Sequence, residues 1–266
     1  MGSLQGQIAM VTGAGRGFGR AIAERLAGEG AAVALLSRSL AQLDEVAGAI
    51  RGKGGQAIGV RCDVTDPASV YHAVGKTEEV LGPIDLLVSN AGVPGPFGPI
   101  WQVDADEWWR AQAVHVRAPM LFMQAVLPGM IARGRGRVIC ISAKAARIVA
   151  PYMSAYCTGK IAQNRIVAEA AAELAGSAVA AFAIDPGFAF TALARETLED
   201  TAAQKYLGGM MGRLREREAD PASAQDLALC AQRVVDLASG RYDALSGGYF
   251  EPGDDLDAKL AEGAPA

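Results

Sequence analysis

The chain has 266 residues, of which 51% are hydrophobic and 20% are charged. This composition excludes a disordered or fibrous chain and fits one globular domain with a sizeable core. The formal net charge is −4, so no basic excess is available to neutralise phosphates. We therefore expect a small-molecule substrate, with no nucleic acid and no membrane as partner.

The four cysteines are widely spaced, form no C-x-x-C pair and have no clustered histidines beside them. They are interpreted as free thiols in a reducing compartment, and no metal site is expected. The N-terminal segment lacks the charged and apolar regions of a secretory signal, and no apolar run looks long enough to span a bilayer. These features predict a cytoplasmic protein.

Short runs rich in Val, Ile, Leu and Ala predict strands, and they lack alternation because strands of a parallel sheet are buried on both faces. The runs are IAMVT from Ile8, AVALLS from Ala32, AIGVR from Ala57, DLLVS from Asp85, RVICIS from Arg137 and AVAAFAI from Ala178. Amphipathic stretches at 20–29, 40–51, 69–81, 113–132 and 155–174 separate them. This alternation predicts α/β architecture over 1–266: a single doubly wound Rossmann-type domain with a mostly parallel sheet and helices on both faces.

Two segments break the alternation of strand and helix. The segment 92–100, GVPGPFGPI, is too rich in Gly and Pro for regular structure and follows a predicted strand, so it is expected to border the ligand site. The segment 188–220 carries apolar residues without a strand pattern. It is either a mobile flap over the substrate or a helical excursion packed on the surface.

The first turn between strand and helix reads TGAGRGFG, from Thr12 to Gly19. Glycines here allow a tight turn and let a pyrophosphate approach backbone N–H groups at a helix N-terminus. The position of this pattern in the first β-α turn predicts a dinucleotide site.

The second strand ends in LLSRS, which offers Ser37 and Arg38 where an NAD site of this type carries an acidic residue. An arginine can bind a 2′-phosphate with charge-assisted hydrogen bonds, and Arg16 in the glycine turn can assist it. We therefore expect NADP(H) as the preferred cofactor, with NAD(H) possible. The alternative interpretation of Arg38 is a solvated surface charge.

Several motifs then occur in a characteristic order. They are T-G-x-x-x-G-x-G at Thr12, Gly13, Gly17 and Gly19, CDV at 62–64, SNAG at 89–92, Y-x-x-x-K at Tyr156 and Lys160, and DPG at 185–187. In this order and spacing the chain resembles the short-chain dehydrogenase/reductase family from Gly6 to Tyr249, nearly its whole length. The resemblance implies a homodimer or homotetramer.

The resemblance also implies which residues contact the cofactor, with Asp63 at the adenine and Thr191 at the nicotinamide amide. The implied set is Gly13, Arg16, Gly17, Phe18, Gly19, Ser37, Arg38, Asp63, Val64, Asn90, Gly92, Tyr156, Lys160, Pro186, Gly187, Phe188 and Thr191.

Tyr156 and Lys160 stand one helical turn apart, so their side chains face the same way. A phenol with a pKa near 10 is a poor base at neutral pH. A cation about 4 Å away is worth roughly 4 kcal/mol at an effective dielectric near 20, and desolvation offsets part of this. We expect Lys160 to lower the pKa of Tyr156 by about two units and so make it the acid/base. In relatives this lysine also holds the nicotinamide ribose.

Two positions depart from the family pattern. In VHVRAP, His115 stands where relatives carry an asparagine whose backbone carbonyl holds a water of the proton relay. His115 either keeps that role or is a helix histidine with no proton role. In ISA, a gap-free alignment places Ala143 where relatives carry the catalytic serine. Ser142 aligns one residue earlier and points the opposite way unless the strand end bulges, but it is the nearest hydroxyl and is kept as a candidate.

These features predict an NADP(H)-dependent oxidoreductase that transfers hydride between the nicotinamide and a carbonyl or secondary alcohol, with Tyr156, Lys160, Ser142 and His115 as candidate catalytic residues. The alternative is a nucleotide-binding protein of this family with weak or altered catalysis, because Ala143 and His115 replace the usual serine and asparagine. The mostly apolar segments 94–100, 147–153 and 188–211 are expected to line the substrate pocket, which favours a hydrophobic or aromatic ketone.

Overall fold

A computed structural model describes residues 2–263 of the chain. Its strands are β1 (Ile8–Thr12), β2 (Ala32–Ser37), β3 (Gln56–Arg61), β4 (Leu86–Ser89), β5 (Gly136–Ile141), β6 (Val179–Ile184) and β7 (Tyr249–Phe250). They form one sheet in the order β3-β2-β1-β4-β5-β6-β7, and every neighbouring pair is parallel. The apolar runs are strands for the expected reason, since β4 and β6 are buried along their whole length.

Helices cover both faces of this sheet. They are α1 (Gly17–Gly28), α2 (Leu40–Gly52), α3 (Pro67–Leu81), α4 (Ala105–Gln112), α5 (Ala118–Arg133), α6 (Ser154–Glu173), α7 (Ala192–Glu199), α8 (Thr201–Tyr206), α9 (Gly208–Ala219), α10 (Ala222–Ala238) and α11 (Leu256–Glu262). Buried residues of α1, α2 and α10 form one core with the sheet, and those of α3, α5 and α6 form a second core on the other face. The predicted doubly wound Rossmann-type domain is confirmed.

Local signals set several helix ends. Ser39 accepts a hydrogen bond from the backbone N–H of Gln42 and caps α2, and Asp66 caps α3 through the N–H of Ala68. Gly134 ends α5 in the left-handed conformation, with φ of 65°, which a glycine adopts without strain.

The strand order reverses between β1 and β4, because β2 and β3 lie to one side of β1 and β5 to β7 lie beyond β4. Ligands of open parallel sheets bind at such a reversal, outside the carboxyl ends of the strands. The glycine turn after β1 and the SNAG segment after β4 meet at this point.

Helices α4 and α5 form one continuous helical segment through a π-helical turn at Ala113–Arg117. The combined segment Ala105–Arg133 is long and apolar enough to cross a membrane by length and mean hydropathy, which corrects the expectation that no run is so long. Its hydropathy has a structural reason, since α5 buries Leu121, Phe122 and Met130 in the second core against the sheet.

The segment 188–220 contains the three short helices α7, α8 and α9. It is called the flap below, as a name only. Its apolar side chains form a third, small core, which is separate from the two cores on the sheet. The buried members of this core are Ala194, Ala203, Leu207, Met211 and Leu214, together with Phe97 from the segment 92–100.

Candidate active site

The glycine turn after β1 is held against the end of β4 by a network around Asn90. The Asn90 side chain donates to the Thr12 carbonyl at 2.8 Å and to the Gly13 carbonyl at 3.3 Å. A Cβ atom at Gly19 would lie 2.3 Å from the Gly13 carbonyl oxygen, and Gly13 itself has φ of 65°. The turn therefore needs glycine at both positions, as expected for a backbone that must approach a phosphate closely.

Two contacts join this turn to the flap. The Arg16 guanidinium lies 2.6 Å from the Glu196 carboxylate of α7. Gly17 faces Thr191, whose Cγ2 would lie 3.3 Å from a Cβ atom at Gly17. The structure thus brings Gly17 and Thr191, two residues implied to contact the cofactor, close together. It also pairs Arg16 with a carboxylate.

The end of β2 and the start of the segment after β3 form the implied adenosine side. Ser37 faces the glycine turn, with its Oγ 3.4 Å from a Cβ atom placed at Gly15. Arg38 is exposed. Hydrogen bonds from Thr65, together with the nearby Arg38 charge, lower the pKa of Asp63 below its ordinary value. The basic group expected near a 2′-phosphate is therefore accessible.

Two residues of the implied set serve as packing groups. Phe18 packs against the core around α1, and Val64 packs against the core on the opposite face. Gly92 lies close to two of the candidate catalytic residues, because a Cβ atom there would be 3.4 Å from His115 Cε1 and 3.9 Å from Lys160 Nζ.

The DPG turn after β6 is tied to the base of the flap. Asp185 accepts a hydrogen bond from the Gly187 N–H at 3.1 Å, and the N–H of Phe188 donates to Asp226 at 3.2 Å. The half-buried Arg217 donates to the Phe188 carbonyl and to the Asp226 carboxylate. These contacts fix the backbone from Pro186 to Phe188 at the edge of the site.

Helix α6 carries the tyrosine and the lysine. Lys160 Nζ lies 5.6 Å from the centroid of the Tyr156 ring, as the helical spacing predicted. Tyr156 is half-buried, whereas Lys160 is buried, with only 3% of its surface exposed. The Lys160 ammonium donates to the Ile141 carbonyl at 2.8 Å and to Gln163 Oε1 at 3.0 Å.

The pKa values of this pair differ from the expectation. Burial, with smaller contributions from Asp185 and Cys157, raises the pKa of Tyr156 above its ordinary value, so the expected lowering is wrong for the cofactor-free protein. Burial also lowers the pKa of Lys160 to about 8. The reason is that desolvation of both groups outweighs their mutual interaction, since the ammonium faces backbone and amide oxygens rather than the phenol oxygen.

His115 lies in the π-helical turn and is completely buried. Its Nε2 is 2.8 Å from the Val93 carbonyl, which can only accept, so Nε2 carries the proton. Burial, and secondarily the Lys160 charge, lowers the pKa of His115 to about 3. The imidazole is therefore neutral at physiological pH, and its ring packs edge-on against Tyr156 at a centroid distance of 5.4 Å.

Ser142 continues the β5 ladder without a bulge, because its N–H donates to the Ile184 carbonyl at 2.8 Å. Its hydroxyl is buried and lies 3.4 Å from the Lys160 carbonyl of α6. Ala143 is extended and partly exposed, so its side chain points the opposite way from that of Ser142. The structure thus places Ser142 against the helix backbone and gives the outward position to Ala143.

Four residues of this region were not among the sequence candidates: Gln163, Asp185, Glu196 and Asp226. Asp185 stands inside the DPG motif and Gln163 follows Lys160 by three residues, so both had a positional signal. Glu196 and Asp226 had none, because their partners are distant in sequence.

The residues present fit a dinucleotide, since the glycine turn, the Gly92 backbone and the buried lysine lie along one edge of the sheet. Together with the parallel sheet and its strand order, they define the class of α/β dinucleotide-binding oxidoreductases.

The comparisons with known proteins give the family. Residues 7–202 match the short chain dehydrogenase family, and the chain belongs to it. A short chain dehydrogenase of Pseudocercospora fijiensis is 36% identical over 98% of this chain and 84% of that protein. The protein is accordingly an NAD(P)-dependent oxidoreductase that acts on a small molecule.

Two solved structures show the range of cofactors among similar proteins. NAD⁺-bound xylitol dehydrogenase is 28% identical with a TM-score of 0.80, over 93% of this chain and 98% of that one. A metagenomic short-chain oxidoreductase in complex with NADP is 30% identical with a TM-score of 0.75, over 95% of this chain and 100% of that one.

Proposed function

We propose that the protein transfers hydride between NADP(H) and a carbonyl or secondary alcohol carbon, with Tyr156 exchanging the proton of the substrate oxygen. The observation that carries the proposal is the buried Lys160 ammonium 5.6 Å from the ring of Tyr156. A phenol and a cation in this arrangement can donate a proton to an oxygen that gains negative charge.

The raised pKa of Tyr156 suits the proton-donating step of a carbonyl reduction. A phenol whose pKa lies above its ordinary value is protonated throughout the physiological range, which is the form that a carbonyl reduction consumes. Lys160, protonated below its pKa of about 8, stabilises the phenolate that remains after the transfer.

The cofactor supplies the hydride, and this chain supplies its binding and orientation. The glycine turn would hold the pyrophosphate, and Lys160 and Thr191 would hold the nicotinamide end. His115 is neutral and buried, so its proposed part is to position the Val93 segment and the Tyr156 ring rather than to transfer a proton.

The preference for NADP(H) over NAD(H) is supported by the residues at the end of β2. Ser37 and Arg38 leave that position without a carboxylate, and Arg38 is exposed beside Asp63. A guanidinium at this place offers charge-assisted hydrogen bonds to a 2′-phosphate and no acceptor for a ribose 2′-OH.

The proposed substrate class is a hydrophobic or aromatic ketone. Support comes from the small core of the flap, which includes Phe97 and Met211 and has the partly buried Met153, Phe190 and Met210 packed against it. Tyr152 stacks on Tyr206 at a centroid distance of 5.2 Å and links the segment before α6 to the flap.

The test is turnover of NADPH with a panel of aliphatic and aromatic ketones, followed by absorbance. We expect NADPH oxidation with at least one aromatic ketone and loss of at least about a thousandfold in Tyr156→Phe, with cofactor affinity nearly unchanged. A Tyr156→Phe variant that keeps most of its rate would show that the proton path runs elsewhere.

A second candidate function is a nucleotide-binding protein with weak or altered catalysis. It is favoured by one observation, the Ser142 hydroxyl that lies against the Lys160 carbonyl while Ala143 takes the outward position. Tight NADPH binding without oxidation by any ketone or imine of the panel would support this candidate over the first.

We also propose that the protein is a cytoplasmic homodimer or homotetramer. All four cysteines are buried as free thiols, which suits a reducing compartment. Trp101 and Trp109 expose 79% and 70% of their surface, more than a monomer usually leaves open for indole rings. Light scattering of the purified protein and fractionation of the cells tests both statements.

A further inference from the structure

Gln163 is a buried polar residue on α6 for which the chemistry above has no role. It is completely buried, and its Oε1 accepts a hydrogen bond from Lys160 Nζ at 3.0 Å. Within residues 2–263, its Nε2 atom is buried without a hydrogen-bond partner. A buried amide that leaves one end unsatisfied is costly, so the contact that its other end makes with the lysine is the feature to explain.

The surroundings of the lysine explain why this contact matters. Among the described residues Lys160 forms no salt bridge, and its ammonium is held by two neutral oxygens, those of Ile141 and Gln163. Gln163 therefore supplies half of the protein acceptors that replace water around a buried cation. Loss of an acceptor from a desolvated ammonium disfavours its charged form.

The titratable groups that face this ammonium come from four elements. They are Tyr156 on α6, His115 in the π-helical turn, Cys140 on β5 and Asp185 after β6. Burial raises the pKa of Cys140 and the imidazole of His115 is neutral, so neither supplies an opposite charge at neutral pH. Asp185 is the remaining carboxyl, and burial raises its pKa as well.

We propose that Gln163 is a positioning residue that keeps the Lys160 ammonium protonated beside Tyr156 and thereby sets the alkaline limit of carbonyl reduction. The proposal rests on the proposed function, in which this ammonium supports the proton transfer from Tyr156. Gln163 touches neither substrate nor cofactor in this role and acts through the lysine.

The direction in which activity changes with pH follows from the two pKa shifts. Reduction needs both groups protonated, and the pKa of Lys160, about 8, lies below that of Tyr156. Activity is therefore fully present below this value and falls as the pH rises through it. A change at Gln163 should move this fall along the pH axis.

Two nearly isosteric substitutions separate the role from simple packing. Gln163→Met removes the acceptor, and the alkaline fall of kcat/KM should move down by about one pH unit. Gln163→Glu places a carboxylate at the same position, and the fall should move up by a similar amount. Loss of packing alone changes the rate in both variants but does not move the fall in opposite directions.

The matched control is Gln112→Met. Gln112 is also buried beside α6, but within residues 2–263 its side-chain hydrogen bonds go to the Ala155 and Trp108 carbonyls and not to a lysine. This variant should leave the alkaline midpoint in place, whatever its effect on stability. If Gln163→Met does not fold, the upward shift in Gln163→Glu still tests the proposal.

A second measurement needs no turnover. NMR of protein containing lysine isotopically labelled at Cε, with the signal assigned through Lys160→Ala, gives the pKa of Lys160 in each cofactor-free variant. The pKa should fall in Gln163→Met and rise in Gln163→Glu. An unchanged pKa in both variants overturns the proposal for Gln163, whereas full activity of Tyr156→Phe overturns the proposed function and leaves the titration result standing.

Discussion

The ion pair between Arg16 and Glu196 joins the glycine turn to the first helix of the flap. The two atoms lie 2.6 Å apart, and each side chain keeps about half of its surface exposed, 51% for Arg16 and 47% for Glu196. Glu196 thus holds the guanidinium of Arg16, which the sequence predicts will assist Arg38 in binding the 2′-phosphate of NADP(H). A phosphate bound there would compete with the carboxylate for Arg16.

This competition predicts that Glu196→Gln binds NADPH more tightly. The exposed pair contributes about 0 to 1 kcal/mol, so the gain should be up to about fivefold, with little change for NADH. Fluorescence titration with both cofactors measures it. Glu199→Gln, which removes an exposed carboxylate of the same helix that takes part in no ion pair within residues 2–263, is the control and should change neither affinity. An equal gain for NADPH and NADH would show that Glu196 limits the entry of either cofactor and does not compete with the 2′-phosphate for Arg16.

Arg38, the residue that follows β2, should decide which of the two cofactors binds more tightly. In the unmutated protein we expect NADPH to bind more tightly than NADH, and Arg38→Asp should reverse the order because a carboxylate repels the 2′-phosphate and accepts a bond from the ribose hydroxyl. Dissociation constants of both cofactors for both proteins provide the measurement. Equal affinities in the unmutated protein would contradict the NADP preference.

The register at the end of β5 predicts an asymmetric result for two neighbouring positions. Ser142 faces the Lys160 carbonyl, so Ser142→Ala should reduce kcat/KM less than about tenfold, whereas a donor to a developing oxyanion is worth about 10² to 10³ in rate. Ala143→Ser places a hydroxyl on the outward side and should raise kcat/KM on a simple ketone. A hundredfold loss in Ser142→Ala, with no gain in Ala143→Ser, would require the strand end to rearrange when substrate binds.

The contacts of Arg217 with the Phe188 carbonyl and with Asp226, called the clamp here, predict a local effect on stability. Arg217→Met removes the bonds to the Phe188 carbonyl and to Asp226, so amide hydrogen exchange in α7 and α9 should become about tenfold faster, with little change in the sheet. Mass spectrometry of exchange resolves the two regions. Arg213→Met on the same helix is the control, because the one side-chain bond of Arg213 in the described part of the chain is a long contact with Met210 Sδ. Equal acceleration in the sheet would mean that the clamp stabilises the whole domain.

The strands, though not their order in the sheet, were predictable because burial on both faces is visible in the sequence as continuous apolar runs. The runs from Ile8 and from Ala32 match β1 and β2 residue for residue. The beginning of the long helix was not predicted, since the stretch at Ala105–Gln112 is polar and continues into α5 only through a π-helical turn. The two-residue β7 is too short to produce a pattern of its own.

The candidate site was predictable to the extent that its residues share a local motif. Tyr156 and Lys160 lie on one helix, so their spacing alone places them together. The partners of Arg16 and Lys160 were not predictable, because Glu196 is 180 residues from Arg16 and the contact of Gln163 depends on how the lysine turns. The direction in which the pKa of Tyr156 shifts was also not predictable from the sequence, because it depends on how deeply the phenol is buried.

The separate core of the flap has a consequence for how such a protein can change over generations. Side chains such as Phe97, Leu207 and Met211 belong to one cluster without sharing in either core on the sheet. Substitutions there can repack this segment while the scaffold that holds Tyr156 and the glycine turn keeps its stability. Under the proposed function, substrate choice is then free to diverge faster than the residues that carry out the reaction.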